Sequence, residues 1–311
     1  MSTIEKDEQY MRRCLQLARN GRQNAKPNPM VGAVIVAADG RIIGEGYHVR
    51  CGEGHAEVNA FDSVRPKDEP LLHAATLYVS LEPCSHYGKT PPCADLIVRK
   101  GVRRVVCGCI DPFSEVQGHG VSRIRQAGIE VTVGVLEADC LALNQRFVTF
   151  HTHHRPYLLL KYAQTANGYL DRSGHALALS TAFTQMLVHK LRAEYDAILV
   201  GRITDEREHP SLDVRHWSGP NPERLVLSHT TSPREILDRL YQAKRQSLLV
   251  EGGRQTLQAF LDAGLWDELR VETAPMTVAD GTPAPQLPPN ICLIKQEEYD
   301  GNIIRWYRRE D

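Results

Sequence analysis

The sequence predicts two α/β domains in succession, divided near residue 148, and three observations predict it. A chain of 311 residues is long for one compact core. Its first half alternates short β-branched runs with amphipathic stretches, in the order that calls for a sheet covered on both faces. After residue 148 the pattern starts afresh with a new apolar strand. The expected domains are therefore residues 1–148 and 149–311. With 42% hydrophobic and 24% charged residues, both halves can build ordinary globular cores.

In chain order, residues 10–20 read as an amphipathic helix, with Met11, Leu15 and Ala18 recurring at spacings of four and three and Gly21 as its stop. Lys26-Pro27-Asn28-Pro29-Met30 is a rigid loop feeding a buried strand over 31–36. Asp39-Gly40 turns the chain into a return strand, 42–47, which delivers His48. His55 and Glu57 open a short helix around 58–61. On a regular helix they would diverge, so the turn at 51–54, with its two glycines, must aim them. Strands over 75–81, 104–109 and 129–135 alternate with helices over 94–100 and 121–127, which Gly101 and Gly128 end.

The junction, 147–156, holds His151 to His154 in a spacing that suits no paired metal site and reads as an exposed linker. In the second half, strands are expected at 157–162, 196–201, 224–228 and 248–253, and helices at 181–195, with Ser180 as cap, at 236–243 and at 255–263. There is no GxGxxG fingerprint, so a Rossmann dinucleotide domain is not supported.

The chemistry concentrates between 55 and 93. His55, Cys84 and Cys93 offer one imidazole and two thiolates, the three protein ligands that a catalytic zinc needs while keeping a fourth position for water. Glu57 is a carboxylate placed to take the water's proton and pass one to a departing amine. A closed structural zinc knuckle with His86 as fourth ligand is the bland alternative, and it would leave Glu57 without a task.

His-Ala-Glu at 55–57 and Pro83-Cys84 are similar to the zinc deaminase pattern, but eight residues, 85–92, separate the two cysteines. With Gly-Lys-Thr-Pro-Pro-Cys closing that loop, the chain closely resembles the bifunctional riboflavin-biosynthesis deaminase–reductases. The resemblance implies a cytidine-deaminase-like three-layer α/β domain followed by a dihydrofolate-reductase-like α/β domain. It also implies zinc, one ion per chain, and NADPH as cofactors. The reactions implied are hydrolytic deamination of a 2,5-diamino-6-(ribosylamino)-4(3H)-pyrimidinone 5'-phosphate, then reduction of its ribosyl group to a ribityl chain.

Carried over residue by residue, the resemblance places Asn28 and His48 at the pyrimidine, although a loop asparagine is also a common turn residue. Lys89 would meet a substrate phosphate or simply be solvated. Lys161, Ala163, Thr204, Glu208, Gly252 and Gly253 would line the cofactor, and Arg192, Leu212, Arg215 and Glu251 the second substrate. Glu208 and His209 replace two aspartates of the family, and Asn167 another. The stretch after Ser228 is shorter than the family's, which would remove part of the wall around the adenosine half of NADPH and leave the reductase weak or absent.

A formal charge of −1 gives no basic field for a polynucleotide, which disfavours a nucleic-acid-editing deaminase. The polar start, the absence of a long apolar run and eight scattered cysteines indicate a cytoplasmic protein with no membrane partner. A deaminase with an inactive reductase-like domain and a zinc-stabilised binding module remain the other readings, and a homo-oligomer stays open.

Overall fold

Ser2 and Glu5 close a capping box at the amino end, each side chain bonded to the other's backbone N–H. They start α1 (Thr3–Ala18) well before residue 10, where apolar spacing alone placed it. The structure is a computed structural model and describes residues 2–87, 91–113 and 117–310. Contacts divide the chain into two units, Met1–His153 and His154–Asp311.

In the first unit, β1 (Gly32–Val36) and β2 (Ile42–Tyr47) form an antiparallel hairpin, followed by α2 (Ala56–Asp62). Next come β3 (Thr76–Val79), α3 (Cys93–Lys100), β4 (Arg104–Cys107), α4 (His119–Gln126) and β5 (Glu130–Val133). The sheet order is β2-β1-β3-β4-β5, with β3, β4 and β5 parallel. Alternation along β1 builds the layers. Ala33 and Ile35 pack with Phe61 of α2, Ile97 of α3 and Ile124 of α4. Val34 and Val36 face Met11 and Leu15 of α1 on the other side. This is the three-layer arrangement expected. Gly46 of β2 lets α2 lie against the sheet, since a Cβ there would meet the Ala56 carbonyl at 2.6 Å.

The expected exposed linker is instead helical. After α5 (Glu137–Leu143), α6 (Gln145–His153) continues the first unit. Phe147 and Phe150 pack on the His151 ring at 4.4 and 5.3 Å, an aromatic anchor that carries the unit past residue 148. His151 therefore belongs to packing.

The second unit begins with β6 (Tyr157–Thr165) and α7 (Ala182–Glu194). Thr181, not Ser180, caps α7, because its hydroxyl accepts the Thr184 N–H at 3.2 Å. There follow β7 (Ala197–Gly201), α8 (Arg202–Glu208), β8 (Glu223–Leu227), α9 (Pro233–Gln242), β9 (Ser247–Val250) and α10 (Arg254–Asp262). Three strands that sequence reading passed over complete it: β10 (Glu268–Ala274), β11 (Ile291–Tyr299) and β12 (Asn302–Arg309). The order is β11-β12-β10-β6-β9-β7-β8, with β10 through β8 parallel. One face packs on α9 and α10 through Leu237, Leu240, Leu257 and Phe260. The other carries Leu159, Ile198 and Leu249 with Leu191 of α7.

Candidate active sites

His55 is the N-cap of α2, with an extended backbone, and Glu57 lies in the first turn. Because His55 is not itself helical, the divergence expected of two helical positions does not arise. Cys84 sits on the loop after β3 and Cys93 is the first residue of α3. His55 Nδ1 lies 3.5 Å from Cys84 Sγ and 3.4 Å from Cys93 Sγ. Zinc bonds of about 2.0–2.3 Å at tetrahedral angles put neighbouring donors ~3.5 Å apart, so this donor set fits zinc. His86 is exposed and outside the cluster; among the described residues three donors converge without a fourth, the open arrangement of a catalytic site.

The charges point the same way. The Cys84 sulfur is held low, at about 4, by the neighbouring Cys93 thiol, by His55 and by the Cys93 backbone N–H at 3.3 Å. That thiolate and burial push Cys93 up. Two thiolates can coexist here only around a cation. Glu57 is 3% exposed; burial first, and the Cys84 charge second, raise its carboxyl to about 7. A base of that strength is matched to proton transfer near neutral pH.

Asn28 and His48 join this centre. His48 Nδ1 lies 3.1 Å from the Gly54 carbonyl, which can only accept, so Nδ1 carries the proton. Its Nε2 therefore accepts from Asn28 Nδ2 at 3.1 Å, leaving the Asn28 oxygen for another donor. Burial holds the His48 ring below its ordinary pKa, in keeping with a neutral tautomer. The His48 and His55 rings meet edge to face at 5.3 Å. Gly88 and Lys89 lie outside the described residues.

Sequence reading missed two supports of this site. Glu82 accepts backbone N–H bonds from Asp111, Gly118 and Val121, tying the approach to α4 to the segment that leads into Cys84. Asn144 holds both polar groups of Met30. Glu82 stands two residues before a ligand, which was a usable signal; Asn144 is remote in sequence and gave none.

In the second unit, Arg192 of α7 grips Glu251 with two bonds, 2.9 and 3.0 Å, and donates to the Asp213 carbonyl at 3.2 Å. Lys161 of β6 approaches the same carboxylate at 3.6 Å. Burial pushes Glu251 up, but Lys161 and Arg192 outweigh it and hold the group below its usual range. Burial also lowers Lys161. Arg215 stays outside this group, exposed and paired with Asp213 at 2.9 Å. Leu212 is buried in the apolar layer under α7, with φ +52°. Ala163 pairs with Glu272 across β6 and β10.

Gly252 and Gly253 form the turn into α10, whose N-terminus has no side-chain cap. A Cβ on Gly252 would lie 2.7 Å from Thr256, and one on Gly253 would lie 3.3 Å from the Thr204 hydroxyl. Free helix N–H groups beside a hydroxyl fit a dinucleotide phosphate. Glu208 is exposed at the end of α8. Sequence reading did not reach Arg270 and Glu272, because β10 was not recognised. Arg270 is 1% exposed, pairs in register with Lys161, lies 3.4 Å from Glu272, and its Nη2 has no hydrogen-bond partner among the described residues.

Comparison with known proteins covers both units. Residues 4–109 match the cytidine and deoxycytidylate deaminase zinc-binding region, and residues 156–296 match the RibD C-terminal domain. The riboflavin biosynthesis protein RibD of Aquifex aeolicus is 36% identical over 322 residues, covering 89% of each chain. That alignment is longer than the 311 residues of the present chain, so the relative carries residues within it that are lacking here. RibD of Escherichia coli is 43% identical over 71% of this chain and 59% of its own length. The chain thus spans less than two thirds of several relatives. A solved structure of a Thermotoga maritima diaminohydroxyphosphoribosylaminopyrimidine deaminase/5-amino-6-(5-phosphoribosylamino)uracil reductase is 34% identical, with a TM-score of 0.91 over 99% of this chain and 100% of that one.

Proposed function

The chain belongs to the RibD family of riboflavin biosynthesis proteins, and from that premise we propose that its first unit deaminates a small phosphorylated diaminopyrimidine, in the cytoplasm and not on nucleic acid. The observation that carries this reading is the convergence of His55, Cys84 and Cys93 beside the buried carboxylate of Glu57. Bound there, zinc lowers the pKa of water to about 7. Glu57 would take the proton from the attacking water as its oxygen adds to C2, and would deliver one to the exocyclic nitrogen there. The carbon–nitrogen bond breaks, ammonia leaves, and a carbonyl remains. Asn28 offers its oxygen to a ring or amino N–H, and His48 fixes which way the amide faces. Measuring ammonia release from the diaminopyrimidine and from tRNA tests the reading. Release from tRNA alone would overturn it.

The second unit is the family's reductase part. Lys161, Thr204, Gly252 and Gly253 are the residues that would hold NADPH, which supplies a two-electron reduction when bound. Arg192, Arg215 and Glu251 would hold the sugar phosphate. A specific observation favours a weak reductase: β8 reaches α9 through residues 228–232 alone, where Ser232 and Glu235 already close a capping box. Contacts to a cofactor's remote half help position its reacting end, so a smaller wall lowers affinity and turnover together. Titrating NADPH and following its absorbance with the deaminated pyrimidine tests this. Tight binding with turnover equal to the deaminase step would restore a full bifunctional enzyme.

A further inference from the structure

We infer that Asn144 is a positioning residue of the deaminase, holding the 27–30 loop so that Asn28 meets the pyrimidine. This rests on the reading that Asn28 contacts substrate. Asn144 lies outside residues 4–109, the part matched to the deaminase zinc-binding region. It follows α5, and its own carbonyl accepts the Val148 N–H of α6 at 2.9 Å. Its side chain is 5% exposed and bonds one peptide neighbour at both polar groups. Asn144 Oδ1 accepts the Met30 N–H at 2.8 Å, and Asn144 Nδ2 donates to the Met30 carbonyl at 2.9 Å.

Two parallel bonds fix orientation as well as distance, which one bond would not. Met30 is joined to Asn28 through Pro29, and Pro27 stands on the other side, so two of the loop's φ angles are fixed near −65°. With so few free torsions, a displacement at Met30 is passed to Asn28 instead of being absorbed. From Asn28 the chain of contacts runs to His48 at 3.1 Å, to the Gly54 carbonyl at 3.1 Å, and so to the residue before the ligand His55. Asn28 is also tied at its backbone, through its N–H to the Ala25 carbonyl at 2.9 Å. The Asn144 amide thus joins the carboxyl-terminal helices of the first unit to the substrate loop.

The test compares Asn144→Ala, Asn28→Ala and the double variant in the full chain loaded with zinc, reading kcat and KM from ammonia release by the diaminopyrimidine. A displaced contact costs up to about 100-fold, so Asn144→Ala should lower kcat/KM by about 10–100-fold. One zinc per chain should remain. Because Asn144 acts through Asn28, the double variant should be no more than about twofold worse than Asn28→Ala alone. A role in stability only would lower the melting temperature and leave KM unmoved.

Effects that multiply in the double variant would overturn the inference, as would wild-type kcat/KM in Asn144→Ala when Asn28→Ala is impaired. Wild-type kinetics in Asn28→Ala would instead remove the substrate-contact reading on which the inference rests. If Asn144→Ala does not fold, Asn144→Asp keeps the acceptor for the Met30 N–H but sets a carboxylate oxygen against the Met30 carbonyl. It should raise KM as well, and an unchanged KM would overturn the inference.

Discussion

Two buried polar clusters of this chain are built on opposite principles. In the second unit, Glu251 is surrounded by its own cations, Arg192 and Lys161, so the cluster is neutralised before any ligand arrives. In the first unit, two thiols, an imidazole and a carboxylate converge, and among the described residues no lysine or arginine joins them. The difference separates a cluster that would have to give up existing pairs to bind an anion from one whose charges ask for a metal ion. Burial explains why both matter, since an unpaired charge away from water costs several kcal/mol.

Breaking the metal centre should have the largest effect. Cys84→Ser removes a ligand and a thiolate together, and elemental analysis should then show zinc lost, with deamination abolished. Full zinc in that variant would remove Cys84 from the ligand set. Glu57→Gln should come next: zinc stays at one per chain, because the carboxylate is not a donor, while kcat falls by roughly 10²–10⁴-fold. A near wild-type rate would mean that another group carries the proton.

The closed cluster can be broken by Glu251→Gln. At neutral pH it leaves Lys161 and Arg192 without their anion and should cost about 3–5 kcal/mol in the second unit's unfolding transition. Glu251 is held below its unfolded pKa of about 4.3, so its stabilising effect is present above that value and is lost as pH falls through the lower folded pKa. Wild type and variant should therefore converge in acid, and an undiminished gap there would refute the pairing. Arg215→Ala should have the smallest effect. Its pair with Asp213 is exposed, with 55% of the arginine side chain accessible, and should contribute about 0–1 kcal/mol. A raised KM for the reduction without a shift in unfolding would sharpen Arg215 into a substrate contact.

Legibility followed distance in sequence. His55, Glu57, Cys84 and Cys93 were readable because scarce residue types stand close together in an order that one reaction requires. The strands of both mixed sheets were readable where β-branched and aliphatic residues run unbroken, as at β1, β7 and β9. What was missed lacked such local contrast. β11 opens on Ile291, Cys292, Leu293 and Ile294 but continues as Lys295, Gln296, Glu297 and Glu298, and Arg305, Arg308 and Arg309 interrupt β12, so neither reads as a buried strand throughout. The helix α6 looked like a linker because its histidines are polar, although Phe147 and Phe150 pack on one of them.

Sequence alone determined the two-domain α/β plan and singled out the candidate zinc donors and the candidate proton carrier, since those depend on residue type and short spacing. Only the tertiary structure decided that His86 stays out of the donor set, that Arg192 and Lys161 already share Glu251, and that Asn144 grips Met30 across 114 positions of chain. The physical reason is that charge compensation and hydrogen-bond satisfaction are properties of neighbours in space. A side chain carries its chemistry in the sequence, but its partner, and so its charge state and orientation, exists only once the chain has folded.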